Sequence, residues 1–239
     1  MHKRLIARAA GTALVVASAV LASGGVKAEG LSNTYARLDV GASMSSSANG
    51  DIFNGTGFGN DFGVSPTLDV GVGAVMPLSG FNLRGEFEVG YRPSFNGDHS
   101  APNTAGTTIL STQTSVKNWT TMINAYGDFN VGSAFSPYLG AGAGLGFNKL
   151  GLLTYAFNGT TAATEPGASK TSFAWSAMAG IGYKLAAGVT LDFRYRFLDA
   201  GKVASTGAIT LVNGATVTQP PVQSHLKTHE LTMGVRYEF

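Results

Sequence analysis

Charged side chains recur at alternate positions along this chain. Arg84, Glu86 and Glu88 stand two apart, and Arg92 follows on the same parity. Asp192, Arg194 and Arg196 repeat the spacing, and so do Arg37 with Asp39 and Arg236 with Glu238, with Glu230 on the parity of the last pair. Asp69, Asp128 and Lys184 complete a set of eight acids and seven bases. A period of two is the period of a β-strand, so each run projects from one face. Carboxylates at such spacing could serve as an acid–base pair or a cation site. Acids and bases in near balance favour a third chemistry, mutual neutralisation in an ion-pair network.

The intervening residues decide between these. Phe81, Leu83, Phe87, Val89 and Tyr91 lie opposite the charges of the 81–92 run, and Val189, Leu191, Phe193, Tyr195 and Phe197 lie opposite those of 189–199. A soluble sheet would bury the apolar face and could not hold so many charges in its core. The apolar face therefore points outward into lipid and the charges point inward. The expected fold is all-β: an eight-stranded, antiparallel, up-and-down transmembrane barrel. Its lumen has room for side chains and little more, so the charges should form a salt-bridged plug. The alternative is a porin-like channel for small solutes.

Other chemistries find less support. A lipid-deacylating site would want His and Ser two apart near the outer edge of a strand. His99 adjoins Ser100, and neither His225 nor His229 has a Ser two residues away. No catalytic residue, metal site or cofactor is expected. With no cysteine in the sequence, thiol catalysis and thiolate-bound metals are excluded. Gly140, Gly142, Gly144 and Gly146 alternate without a following helix, so they do not form a phosphate loop. With Gly71, Gly73, Gly180 and Gly182 they should leave room for arginines from opposite strands. Asp51, Asp61, Asp98, Glu165 and Lys202 match no calcium-loop spacing. Lys117, Lys149 and Lys227 have outward parity at outer strand ends. There a lysine can meet the phosphates of lipopolysaccharide or simply snorkel.

Eight alternating segments position these groups: 34–43, 67–76, 81–92, 116–129, 137–149, 171–185, 189–199 and 226–239. Short turns at 77–80, 130–136 and 186–188 alternate with long stretches at 44–66, 93–115, 150–170 and 200–225. The long stretches are rich in Gly, Ser, Thr, Asn and Ala and are expected to be structureless outer loops. An even strand count puts both termini in the periplasm. Phe53, Phe58, Phe62, Leu110, Leu153, Tyr155, Phe157, Ile209 and Leu211 should pack on one another above the barrel or meet a partner. Phe81, Phe129, Tyr183, Tyr237 and Phe239 fall at inner strand ends, and Tyr91, Trp119, Phe147, Phe173, Trp175 and Phe197 at outer ones. Such rings form girdles at lipid headgroups.

Residues 1–28 have the form of a cleaved secretory signal, with Lys3, Arg4 and Arg8 before an apolar run and Val26-Lys27-Ala28 at the cut. Residues 29–239 would then be one barrel domain. Cleavage leaves 12 Lys and Arg against 14 Asp and Glu, a net charge of −2, which argues against a nucleic-acid partner.

Several strings together resemble the opacity-type outer-membrane barrel antigens of alphaproteobacteria. They are TYARLDVGAS, INAYGDF, SPYLGAGAGLGF, TSFAWSAMAGIGYKL, LDFRYRFLDAG and HELTMGVRYEF. The resemblance spans 29–239 and is most specific from Thr121 onward. It implies a monomeric eight-stranded barrel with a role as surface antigen, in envelope integrity or in host adhesion through its loops, and it brings no catalytic motif. By resemblance to outer-membrane proteins generally, Tyr237 and Phe239 belong to the signal read by the barrel-assembly machinery.

Overall fold

The computed structural model describes residues 33–46, 48–51, 57–60, 63–102, 109–129, 131 and 134–239, with side chains outside 48–60 and 98–110. The expected signal segment, and with it Phe53, Phe62 and Asp61, lies outside the described residues. So do the side chains of Asp51, Phe58, Asp98, His99, Ser100 and Leu110.

The strands are β1 (Thr34–Ser46), β2 (Ala48–Asp51), β3 (Gly57–Asn60), β4 (Val64–Pro77), β5 (Phe81–Pro102), β6 (Ile109–Phe129) and β7 (Phe135–Leu150). They continue as β8 (Leu153–Phe157), β9 (Thr160–Glu165), β10 (Ser169–Ala186), β11 (Val189–Ala204), β12 (Ala208–Leu211), β13 (Thr216–Thr218) and β14 (Gln223–Glu238). Twelve of them form one antiparallel sheet. Within it the pairings β6-β5-β4-β1-β14-β11-β10-β7 return to β6, so these strands close on themselves. The seam joins the first strand to the last, with Ala36 opposite Tyr237 and Val40 opposite Met233. Closure leaves the ring no unpaired backbone edge, which a sheet surrounded by hydrocarbon requires.

Side-chain alternation follows the expected parity. Outward residues such as Ile123, Leu139, Phe173 and Leu231 are more than half exposed, while Arg37, Arg84, Arg92 and Arg196 are buried inside the ring. Aromatic pairs mark both ends of the wall. Tyr91 stacks on Trp119 and Trp175 lies against Phe197 at one end; Phe135 meets Tyr183 and Tyr237 meets Phe239 at the other. No described helix is long and apolar enough to cross a membrane, a statement that does not bear on strands.

Two expectations are corrected. The sheet holds twelve strands, and the described parts of the long stretches are not structureless. β5 and β6 continue as a ladder out to Pro102 opposite Ile109. β8 joins the far end of β6 and is followed in turn by β9, β12 and β13, which together build a hood. β2 and β3 form a separate hairpin. Small polar residues had suggested coil, but runs such as 160–164 and 216–218 are rich in Thr and Val, which suit a pleated, half-buried surface. Asn158 and the glycines at 159, 207 and 214 supply the positive φ that the tight hood turns need.

Candidate functional site: the charged lumen and its outer rim

Five strands deliver the central network. Glu88 on β5 accepts from Arg37 on β1 at 2.6 Å and from Arg194 on β11 at 2.7 Å, and also pairs with Arg196. Asp69 on β4 meets Arg194 and Arg196 at 2.9 Å each. Glu230 on β14 receives Arg92 at 2.6 Å and Arg196 at 2.5 Å. Arg37 reaches Asp39 at 3.0 Å and Glu86 at 2.9 Å. All these side chains are buried. Ionised groups in such a setting are tolerable only when paired and hydrogen-bonded. Here Ser43 and Thr228 donate to Glu230, and Asn118 and Thr120 accept from Arg92.

A second cluster sits toward the opposite end of the lumen. The Arg84 Nε meets Asp128 at 2.6 Å, and its guanidinium lies over the rings of Tyr126 and Tyr138 at 4.4 and 4.9 Å. Tyr138 donates to Asp192, which faces Arg236 at 3.8 Å, and Tyr35 and Tyr126 donate to Glu86. These tyrosines share the parity of the charges, the one signal that could have marked them as members of the network. The inward glycines make room for them rather than chiefly for arginines, which corrects the expectation. A Cβ at Gly73 would meet the Tyr35 ring, one at Gly140 the Tyr126 ring and one at Gly180 the Tyr138 ring; of the eight glycines named from the sequence only Gly182 lies near an arginine, Arg236.

Two of the expected lumen charges stand apart. Lys184 is exposed, next to a register shift at the end of β10, where alternation no longer dictates direction. Glu238 is only half-buried and lies 3.6 Å from Arg236 at the mouth. Asp39, Asp69 and Glu88 bring carboxylate oxygens within 4.8 Å of one another, the spacing of a cation site. Their charge is met by Arg37, Arg194 and Arg196, so a metal ion there would face guanidinium groups at contact distance.

Above Arg92 and Glu230 the inward face changes character. Phe95, Val116, Leu150, Leu198 and Leu226 are buried in the ring's extension and pack with Leu153, Tyr155, Ala163 and Val203. Ile209 and Leu211 pack against this cluster, whereas Phe157 is about half exposed. The loop apolar residues with described side chains thus mostly pack together. Tyr155 donates to Glu165 at 2.6 Å, and the Gly207 amide donates to the same carboxylate at 2.8 Å. Burial, then Glu165, pushes the Tyr155 phenol well above its ordinary range. The inward parity of Val116, Leu150, Leu198 and Leu226 was the available sequence signal for this core.

At the rim the three outward lysines separate. Lys117 and Lys149 are exposed and stand directly opposite each other on β6 and β7. Lys227 is half-buried and faces Asp199 across β11 and β14. His225 lies 3.7 Å from Asp199, and His229 shares a 2.7 Å hydrogen bond with the Tyr195 hydroxyl. At the other end Tyr237 is half-buried and Phe239 exposed, with the Phe239 amide bonded to the Thr34 carbonyl.

A closed antiparallel ring with an apolar exterior and a charged interior defines the class: an outer-membrane β-barrel. The chain belongs to the outer membrane protein beta-barrel domain family, whose model matches residues 11–239. It is 35% identical over 99 residues to the outer membrane protein PagN of Salmonella typhimurium, covering 40% of this chain and 39% of PagN. It is 34% identical over 136 residues to RC1281 of Rickettsia conorii, whose name carries the word adhesin, covering 52% of this chain and 51% of that protein. Identity to the opacity protein opA52 of Neisseria gonorrhoeae is 30% over 139 residues, 47% of this chain and 48% of opA52. The chain therefore spans between about two fifths and half the length of these relatives. The structure of OprG from Pseudomonas aeruginosa aligns with a TM-score of 0.52 at 15% identity, covering 87% of this chain and 96% of OprG, a likeness of fold.

Proposed function

We propose that this chain is a closed, monomeric surface barrel whose task is structural and antigenic display, with no catalysis. The eight ring strands cross the outer membrane, both termini lie in the periplasm, and the hood stands outside the cell. The observation that carries this reading is a lumen blocked twice: by the ion-pair network around Glu88 and Glu230, and above it by the apolar core around Phe95 and Leu226. A hydrated ion would have to break paired charges and then enter a hydrocarbon-like layer. Single-channel recording with the refolded barrel in planar bilayers tests it. A flat baseline is expected. Large, regular conductance steps would replace this reading with the porin-like channel.

Adhesion through the hood is a second reading. Val212 at 75% and Val217 at 50% exposure present apolar side chains on the β12–β13 hairpin, away from the packed core, and a relative is named for adhesion. Replacing both with Ser should lower cell binding while the barrel stays folded; unchanged binding would remove this surface from consideration. Further partners of the proposal are outer-membrane lipid and lipopolysaccharide at the outward lysines, and the barrel-assembly machinery at Tyr237 and Phe239.

A further inference from the structure

Lys117 and Lys149 are direct cross-strand partners on β6 and β7, both exposed, and neither forms an ion pair with a described carboxylate. Like charges placed directly opposite each other oppose strand pairing. The third rim lysine differs in its register partner: Lys227 has the acid Asp199 opposite it, although no ion pair joins the two and the Asp199 carboxylate lies 3.7 Å from His225. Among the described side chains, no acid is the cross-strand partner of Lys117 or Lys149. Lys170, also exposed, follows Ser169, the residue opposite Lys149 on β10, and adds positive charge to the same stretch of rim.

On the same outward face, the next pair toward the barrel's middle is Trp119 opposite Phe147, and Tyr91 stacks on Trp119 with ring centroids 4.1 Å apart. Trp119 and Phe147 are about half exposed. Two ammonium groups thus lie above a step of aromatic surface. That order, cation toward the outside and aromatic toward the membrane interior, complements an amphipathic molecule with an anionic head and acyl chains.

We infer that Lys117 and Lys149 form a clamp for one phosphate group of a phosphorylated, acylated glycolipid of the outer leaflet, with Trp119 and Phe147 as the surface on which its first acyl segment rests. A phosphate monoester has oxygens enough to accept from both ammonium groups at once, turning a repulsive pair into a bridged one. Lys227 is outside the clamp because its cross-strand partner is an acid and not a second lysine. The inference rests on placing the outer ends of β6 and β7 at the headgroup level.

Thermal unfolding of the refolded barrel in detergent tests it, without and with lipopolysaccharide, with dephosphorylated lipopolysaccharide, and with inorganic phosphate at millimolar concentration. The variants are Lys117→Glu, the double variant Lys117→Gln/Lys149→Gln, and Lys227→Gln. Without added anion, Lys117→Glu should raise the midpoint by removing the repulsion. Lipopolysaccharide should raise the midpoint of the wild type and of Lys227→Gln but scarcely that of the double variant, with binding weakened roughly fivefold per lysine lost. Dephosphorylated lipopolysaccharide should lose the effect, and inorganic phosphate should give only a small part of it. Equal stabilisation of wild type and double variant by lipopolysaccharide would overturn the clamp, as would a lowered midpoint for Lys117→Glu in detergent alone. The full shift with inorganic phosphate would overturn the lipid as ligand. No response of any variant to lipopolysaccharide would overturn the headgroup placement instead. Closure of the lumen is read separately, by conductance.

Discussion

Replacing Asp128 with Leu should destabilise the barrel far more than replacing Asp128 and Arg84 together. Asp128 is the acidic partner of the Arg84 guanidinium, at 2.6 Å, and Arg84 is wholly buried. With Asp128 gone, Arg84 keeps the faces of Tyr126 and Tyr138 but no contacting carboxylate. Stranding one charge of a buried pair costs about 3–5 kcal/mol, while exchanging both members for apolar residues of similar size is often close to neutral. The tyrosine faces retain part of the cation's stabilisation, about 0.5–2 kcal/mol each. The single variant Asp128→Leu should therefore lose about 3 kcal/mol and Asp128→Leu/Arg84→Met no more than about 1 kcal/mol. Unfolding by urea in lipid vesicles, followed by the fluorescence of the chain's two tryptophans, measures both; both tryptophans are on the outward face and leave lipid on unfolding. A loss below about 0.5 kcal/mol for the single variant would mean that Arg84 is bathed in water. That would refute the packed lumen from which the closed barrel is argued.

Other outcomes follow from the same structure. Gly73→Ala should cost about 1–3 kcal/mol in the same assay, because its Cβ would sit 2.6 Å from the Tyr35 ring, which would have to leave Glu86. Tyr155→Phe should loosen the hood by about 1–3 kcal/mol by removing a donor from buried Glu165, read as faster amide exchange in β8 and β9 with the ring strands unchanged. The raised Tyr155 phenol makes a related pH dependence: its contribution is full below about pH 10 and is lost as pH climbs from there through the folded-state value, so hood protection should fall only in strong alkali. Phe239→Ala should slow assembly in cells while leaving the stability of the refolded barrel within about 0.5 kcal/mol, since the ring is exposed and its backbone amide bond to Thr34 is retained.

The strand faces were legible because one side had to be apolar and the other charged, and a period of two admits no compromise between them. That parity also puts Tyr35 and Tyr126 inside, but it carries no sign of their support of Arg84 and Glu86, which depends on register between strands. Lys184 shows where parity stops informing: at a strand end the register shifts and the side chain turns to solvent. The rim lysines were indistinguishable until pairing was known. Register, a relation between distant segments, makes Lys117 face Lys149 and Lys227 face Asp199. The hood was hidden for another reason. Its strands are three to six residues long, too short for an alternation such as that of Leu153, Tyr155 and Phe157 to stand out from coil.

The inversion of the lumen's lining also bears on where the membrane ends. From Arg84 to Arg92 the inward face of β5 is charged; after the register shift between Arg92 and Phe95, the next buried inward residue is Phe95. On β6 the change falls between Asn118 and Val116, on β11 between Arg196 and Leu198, and on β14 between Thr228 and Leu226. One ring thus obeys two solvents. Where its outside is apolar its inside is mostly polar and charged, with Met122 and Met178 among the exceptions. Beyond Lys117 and Lys149 its inside is mostly apolar around the buried Glu165, as in a soluble barrel whose exterior meets water. The switch falls toward the same end of four ring strands, and on the paired strands β5 and β6 it lies just beyond the Arg92–Asn118 pair. On the orientation proposed above, a headgroup boundary at that level would account for the switch, with Trp119, Phe147 and Phe197 on its membrane side and the hood beyond it. Such a boundary also explains why the two blocks in the lumen differ in kind. Below it the barrel is held by charges that no lipid can solvate, and above it by a hydrophobic core that water drives together.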